Sequence, residues 1–193
     1  MSRYRTRSWR AFDPGTAAAR LVPATTLRIL GLDPGSRRTG FGVIECRGAG
    51  YVHIAHGCLN VAAAAAAERL RMIFEGLQAL IAEHSPGEVA VERVFVNRNV
   101  ASALKLGQAR GAALCAVPPG LPVFEYAPRA IKLALVGYGA AEKLQVAHMI
   151  RTLLGLKERI GPDASDALAV AVCHAHARRL LALAHESAVK PVA

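Results

Sequence analysis

Acidic residues are scarce in this chain: 14 Asp and Glu stand against 24 Lys and Arg, a formal net charge of +10 over 193 residues. That balance disfavours a cationic partner and favours a polyanion, most often nucleic acid. Cysteine is also sparse. Cys46, Cys58, Cys115 and Cys173 form no CxxC pair and no Cys/His spacing of the zinc-site kind. The expectation is four small buried hydrophobes in a reducing compartment. No uninterrupted apolar run reaches the ~18 residues of a spanning helix, so no membrane partner is expected. The basic start Met1–Arg7 lacks the apolar segment of a secretory signal, which points to the cytoplasm. What the chain has in quantity is apolar sequence. At 53% hydrophobic it is too apolar for disorder and suits one domain with a substantial core.

Residues 1–26 differ from the rest. They carry Arg3, Arg5, Arg7, Arg10 and Arg20 against Asp13 alone, with Pro14, Gly15 and Pro23 and no apolar period. They read as a basic, disordered extension. It is either an arm that binds phosphates or the product of a start placed upstream of the true one. Residues 27–183 read as the domain, and 184–193 as a flexible tail.

Within the domain, Leu27–Asp33 is a short apolar run ending in an acid, followed by the turn Pro34-Gly35-Ser36. Phe41–Cys46 and Tyr51–Ala55 read as two more strands of an antiparallel meander. The alanine run 62–67 opens a helix whose Leu70, Ile73, Leu77, Leu80 and Ile81 recur at helical spacing until Ser85-Pro86-Gly87. Glu88–Glu92 is a fourth strand, again ending in an acid. A helix spans 101–117, a fifth strand 122–126, and helices follow at 128–136, 141–154 and 164–183. The pattern is α/β, with a five-stranded mixed sheet flanked by helices.

The strand-end acids Asp33 and Glu92 occupy the place where open α/β sheets bind ligands. Asp163 and Asp166, at i and i+3 of a helix start, face the same way. Each has a plainer role open to it: Asp33 as turn former, Glu92 as solvated strand end, Asp163 as helix cap. Taken together, four carboxylates need cations to neutralise them. Oxygen-only ligands suit Mg²⁺ or Mn²⁺. Two such ions about 4 Å apart would activate a water and stabilise the leaving oxygen of a phosphodiester.

Gly31-Leu32-Asp33-Pro34-Gly35-Ser36, Val91–Phe95 and Ser102-Ala103-Leu104-Lys105-Leu106-Gly107-Gln108-Ala109-Arg110-Gly111 resemble the RuvC family of Holliday-junction resolvases. So do Val123–Tyr126, Ala141–Val146 and Asp163–Ala169. The resemblance spans residues 27–178 in order. It implies a ribonuclease-H-like fold and a homodimer. It also implies Mg²⁺-dependent nicking of two opposing strands of a four-way DNA junction, in partnership with the RuvA–RuvB branch-migration motor. Its catalytic, metal-holding acids fall on Asp33, Glu92, Asp163 and Asp166. The family admits a histidine at the position of Asp163, and nothing in its usual start resembles residues 1–26. Two other readings remain open: a ribonuclease-H-like nuclease with a different substrate, and a noncatalytic junction-binding protein.

The resemblance makes Phe95 a ring that stacks on an unpaired base, a contact worth ~1–3 kcal/mol; the plainer reading packs it in the core. Arg93 and Arg98 beside it suit phosphates, and Asn99 and Ser102 suit neutral contacts. Lys132 and Lys143 match positions that the family uses against the DNA backbone, with Arg37, Arg38 and Arg129 as additions. Lys105 and Arg110 are weaker candidates, one of which pairs with an acid instead. The helix of Leu104, Leu106, Leu114 and Val117, with its Gly107 and Gly111, is the expected dimer contact, or else packs within one subunit. His174 and His176 lie on different faces of the last helix and are read as surface or cap residues, as is His148.

Overall fold

The computed structural model describes residues 26–48, 50–93 and 99–189. The expectations for residues 1–25 and 190–193, and those for Phe95 and Arg98, lie outside the described residues. Three strands come first: β1 (Thr26–Pro34), β2 (Arg38–Arg47) and β3 (Gly50–Asn60). They form the antiparallel meander expected of three short apolar runs separated by turns. After α1 (Ala66–His84), β4 (Glu88–Glu92) joins β1 in parallel; after α2 (Val100–Cys115), β5 (Val123–Tyr126) joins β4 in parallel. The sheet order is β3-β2-β1-β4-β5. Helices α3 (Pro128–Val136), α4 (Lys143–Leu153) and α5 (Pro162–Val189) complete the described chain.

Two cores flank the sheet. Leu30, Leu32, Val43, Val89 and Val91 pack under α1 and α2. Ile29, Ile44 and Ala90, on the opposite pleat, pack under α3, α4 and α5. The alternation along β1 and β4 therefore decides what faces α5: residues 29, 31 and 33 of one strand, and 88, 90 and 92 of the other.

The boundaries differ from the sequence reading in physically simple ways. The first alanines of the 62–67 run form a turn, in which the Ala62 amide donates to Asn60 Oδ1 at 3.3 Å, and α1 starts at Ala66. It ends as expected at Ser85, whose φ of 46° closes the helix before Pro86. Helix α2 starts at Val100 because Asn99 caps it: Asn99 Oδ1 accepts a bond of 3.1 Å from the Ser102 amide. Helix α5 continues to Val189, past the expected start of a tail at 184.

Its segment Pro162–Ala184 is long and apolar enough to cross a membrane, although Asp163, Asp166, Arg178 and Arg179 interrupt its apolar run. Half of that window is buried within the protein, as in a core helix. The cysteines also depart from expectation. Cys173 is buried and Cys46 half-buried, but Cys58 and Cys115 are exposed.

Helix α5 sits unusually close to the sheet, and glycine makes this possible. A Cβ on Gly31 would overlap the Ala167 carbonyl, and one on Gly40 would overlap the Asp163 carbonyl. Gly40 is the register partner of Asp33 across β1 and β2. The bare backbone at these two positions lets the first turns of α5 rest on the strands beside Asp33.

Candidate active site

Leu32 pairs with Val91 in the parallel ladder, so the next residues, Asp33 and Glu92, emerge side by side at the ends of β1 and β4. Both are on the pleat that faces α5. Gly161-Pro162 opens that helix, and Asp163 and Asp166 lie in its first turns. All four predicted acids thus meet at one end of the sheet, each half-buried.

Their electrostatics follow from burial first and crowding second. Asp33 is pushed up to about 6, first by burial and then by the charges of Asp166 and Asp163. Glu92 is pushed up to about 7, again by burial first, then by Asp33 and Asp166. The Asp33 and Glu92 carboxyls are close enough to hydrogen-bond to each other. Such a group of acids gains from any cation placed among them.

One cation comes from α4. Its N-terminus is fixed by a capping box: Gln145 Oε1 accepts a 2.8 Å bond from the Glu142 amide, while the Glu142 side chain caps in return. The Tyr138 hydroxyl donates to the same Gln145 oxygen at 2.6 Å. This places Lys143, the first residue of α4, with Nζ 2.9 Å from Asp166 Oδ2. The pair raises the Lys143 ammonium above its usual range. Lys143, expected on the DNA backbone, therefore belongs first to the acid cluster. Arg38 Nη1 stands 3.8 Å from Asp163 Oδ2. The exposed Cys58 thiol points at the same oxygen from 3.7 Å.

A cavity of about 180 Å³ opens beside the acids, lined by Glu92, Asp166, Lys132, Lys143, Ile131 and Val146. Lys132 is thereby brought to the site. Arg93 is not aimed into it: its Nε is 3.6 Å from Glu125 Oε2. Asn99 is spent on the α2 cap, and Ser102 is exposed on that helix. Of the two weaker candidates, Arg110 is the one that pairs with an acid, Glu125. As donors, the four carboxylates suit a hard divalent ion in chemistry and in charge. Among the described residues, however, no three His, Cys, Asp or Glu side chains already converge at ligand distance.

The sequence reading missed a second cluster. His174, expected at the surface, is 1% exposed. Its Nε2 lies 2.6 Å from Glu88 Oε2, and its Nδ1 lies 2.7 Å from the Tyr126 hydroxyl. One tautomer satisfies both contacts, with Nε2–H donating and Nδ1 accepting. Phe124 stacks on the imidazole at 4.3 Å, and Arg178 Nε is 2.9 Å from the same Glu88 oxygen. His176 is half-buried and bonds to the Ala134 carbonyl at 3.0 Å, whereas His148 is exposed as expected.

The chain is 55% identical over 155 residues to crossover junction endodeoxyribonuclease RuvC of Methylococcus capsulatus, covering 80% of this chain and 93% of that protein. It is 55% identical over 150 residues to the protein of that name from Alkalilimnicola ehrlichii, covering 77% and 91%. A solved structure of T. thermophilus RuvC in complex with a Holliday-junction substrate superposes with a TM-score of 0.75 at 37% identity, over 80% of this chain and 96% of that one. The yeast mitochondrial Holliday junction resolvase Ydc2 shares the fold, with a TM-score of 0.61 at 9% identity, over 80% and 82%. The family model described as crossover junction endodeoxyribonuclease RuvC matches residues 29–174, a span that holds both strand-end acids and both aspartates of α5. By these matches the chain belongs to the RuvC family of crossover junction endodeoxyribonucleases.

Proposed function

We propose that this chain resolves Holliday junctions by nicking two opposing strands of a four-way DNA junction, as a Mg²⁺-dependent homodimer. Family membership together with the meeting of Asp33, Glu92, Asp163 and Asp166 at one sheet end carries the reading. These four carboxylates would hold the metal, two ions per subunit, with Mn²⁺ able to substitute. When bound, the ions supply charge neutralisation and water activation at the scissile phosphodiester.

The rest is done by the chain itself. Lys143 holds Asp166 in place and offsets part of the acid charge. Lys132, across the cavity, attracts the phosphate that must enter an otherwise anionic site. Arg93 and Ser102 extend the contact surface, together with Phe95 and Arg98 from the segment outside the described residues. Asn99 contributes by fixing the start of α2.

The dimer contact falls on α2. Val100 and Leu104 are 68% and 64% exposed, and nothing lies near the Cβ positions of Gly107 and Gly111. These four residues form one stripe along the helix, which fits close approach of a second copy. Leu114 and Val117 instead pack inside the subunit. Two sites related by a two-fold axis match a junction with the same symmetry. The chain would act in the cytoplasm beside the RuvA–RuvB motor.

The test is incubation of the purified protein with a synthetic four-way junction, a matched duplex and an RNA–DNA hybrid, with Mg²⁺ or EDTA. Paired nicks in the junction alone, and only with metal, are the expected result. Cutting of the hybrid would assign a different nuclease substrate. Tight junction binding without cutting would make it a binding protein.

A further inference from the structure

Glu92 is paired with Tyr126 of β5, but it lies one residue past the last β1–β4 pair, Leu32 with Val91. The Arg93 amide donates to the Tyr126 carbonyl at 2.7 Å, toward β5. A trans peptide directs its carbonyl opposite to its N–H. The Glu92 carbonyl therefore points to the β1 side, where the ladder has ended. A part-buried carbonyl in that position needs a partner from elsewhere. Helix α2 supplies it: Arg110 Nη1 donates to the Glu92 carbonyl at 2.6 Å, and Nη2 donates to Glu125 Oε1 on β5 at 2.5 Å. The other Glu125 oxygen faces Arg93. The Arg110 side chain is only 14% exposed. Two of its donors are spent on the protein's own acceptors, which argues against a phosphate contact.

We infer that Arg110 is a positioning residue, whose guanidinium fork pins the main chain of Glu92 to helix α2 and β5 and so sets where the Glu92 carboxyl meets Asp33. This rests on the resolvase reading, in which Glu92 holds metal. The consequence is a direct mechanical link. The helix that carries the stripe proposed for pairing also anchors a residue of the acid cluster. A lysine cannot replace the fork, because one ammonium on a flexible stem does not reproduce two parallel planar donors.

The experiment uses the full chain with Arg110→Gln, Arg110→Lys and Glu125→Gln. It reads the Mg²⁺ midpoint for junction nicking, Mn²⁺ binding by calorimetry without DNA, junction affinity in EDTA, and melting temperature. Loss of an outer partner of a metal ligand typically weakens metal binding ~10–100-fold. Arg110→Gln should shift both the Mg²⁺ midpoint and the Mn²⁺ dissociation constant upward by about 10-fold or more within that range. Junction affinity in EDTA should stay unchanged. Arg110→Lys should fail to restore the metal midpoint, and Glu125→Gln should shift it less in the same direction. Unchanged metal binding in Arg110→Gln would overturn the inference, as would full rescue by lysine. A fall in junction affinity with metal binding intact would make Arg110 a DNA contact. If Arg110→Gln does not fold, Glu125→Gln decides, and a midpoint equal to the parent's overturns the inference. Failure of the unmodified protein to nick any junction would instead strike the resolvase reading, and the Mn²⁺ measurement would still decide the role of Arg110.

Discussion

Strand β4 begins and ends with a glutamate, and Glu88 and Glu92 both face α5. Four residues of strand span ~13 Å. Across from them, Asp166 and His174 are eight residues apart on α5, or ~12 Å. The two antiparallel elements are thus matched in length, and each glutamate meets a different end of the helix stripe. Glu88 meets His174 and Arg178 and is neutralised, with Tyr126 completing the set. Glu92 meets Asp33 and Asp166 and is repelled. The same residue type, on the same face of the same strand, is satisfied at one end and frustrated at the other. The satisfied end holds the helix to the sheet. The frustrated end stores the unfavourable charge that a cation can relieve.

The comparison can be broken at either end. Glu92→Gln should abolish junction nicking while leaving junction binding intact, a result read directly on a gel; normal nicking would remove Glu92 from the site. Glu88→Gln should do the reverse. It leaves Arg178 without its buried anion, at a cost of about 3 kcal/mol. The melting temperature should fall by roughly 6–12 °C, while the folded fraction still nicks. Equal loss of activity in both variants would erase the distinction.

Their pH dependence separates them further. The folded value of Glu92 lies above its ordinary 4.5, at about 7. Its favourable contribution is therefore complete below pH 4.5 and lost as pH rises through 7. In EDTA, Glu92→Gln should gain stability over the parent progressively as pH rises from 4.5 to 8. A difference that stays flat with pH would contradict the burial and crowding that raise Glu92. The smallest effect sharpens the other end: Tyr126→Phe removes one hydroxyl from His174 and should cost about 1 kcal/mol, measured by denaturant melts, with nicking unchanged.

The acids of the candidate site were legible because each carried a positional signal. Asp33 and Glu92 close apolar strands, and Asp163 and Asp166 share a helix face. The sheet was legible from its short apolar runs and turn residues. The network around His174 was not: His174 and Arg178 share a helix face and Phe124 and Tyr126 a strand face, but only the packing of α5 on β4 and β5 brings these pairs to Glu88. The i, i+2 spacing correctly separated His174 from His176. It could not say that one of those faces was the buried one. The ion pair of Lys143 with Asp166 was hidden for a related reason: its position at the first turn of α4 is visible in sequence, but the packing of α4 against α5 is not. Arg110 was ambiguous because only the end of the β1–β4 ladder reveals an unpaired carbonyl for it to reach.

The glycines under α5 have a consequence for anyone who maps this protein by saturation mutagenesis. Gly31 and Gly40 carry no functional group, yet an added methyl at either would lift the first turns of α5 off the sheet. Asp163 and Asp166 would move with it. In a survival screen these two positions would score with the acids themselves, and a purely statistical reading would name them catalytic. Their role is that of a machined surface, which sets the working distance between two parts and takes no share in the chemistry.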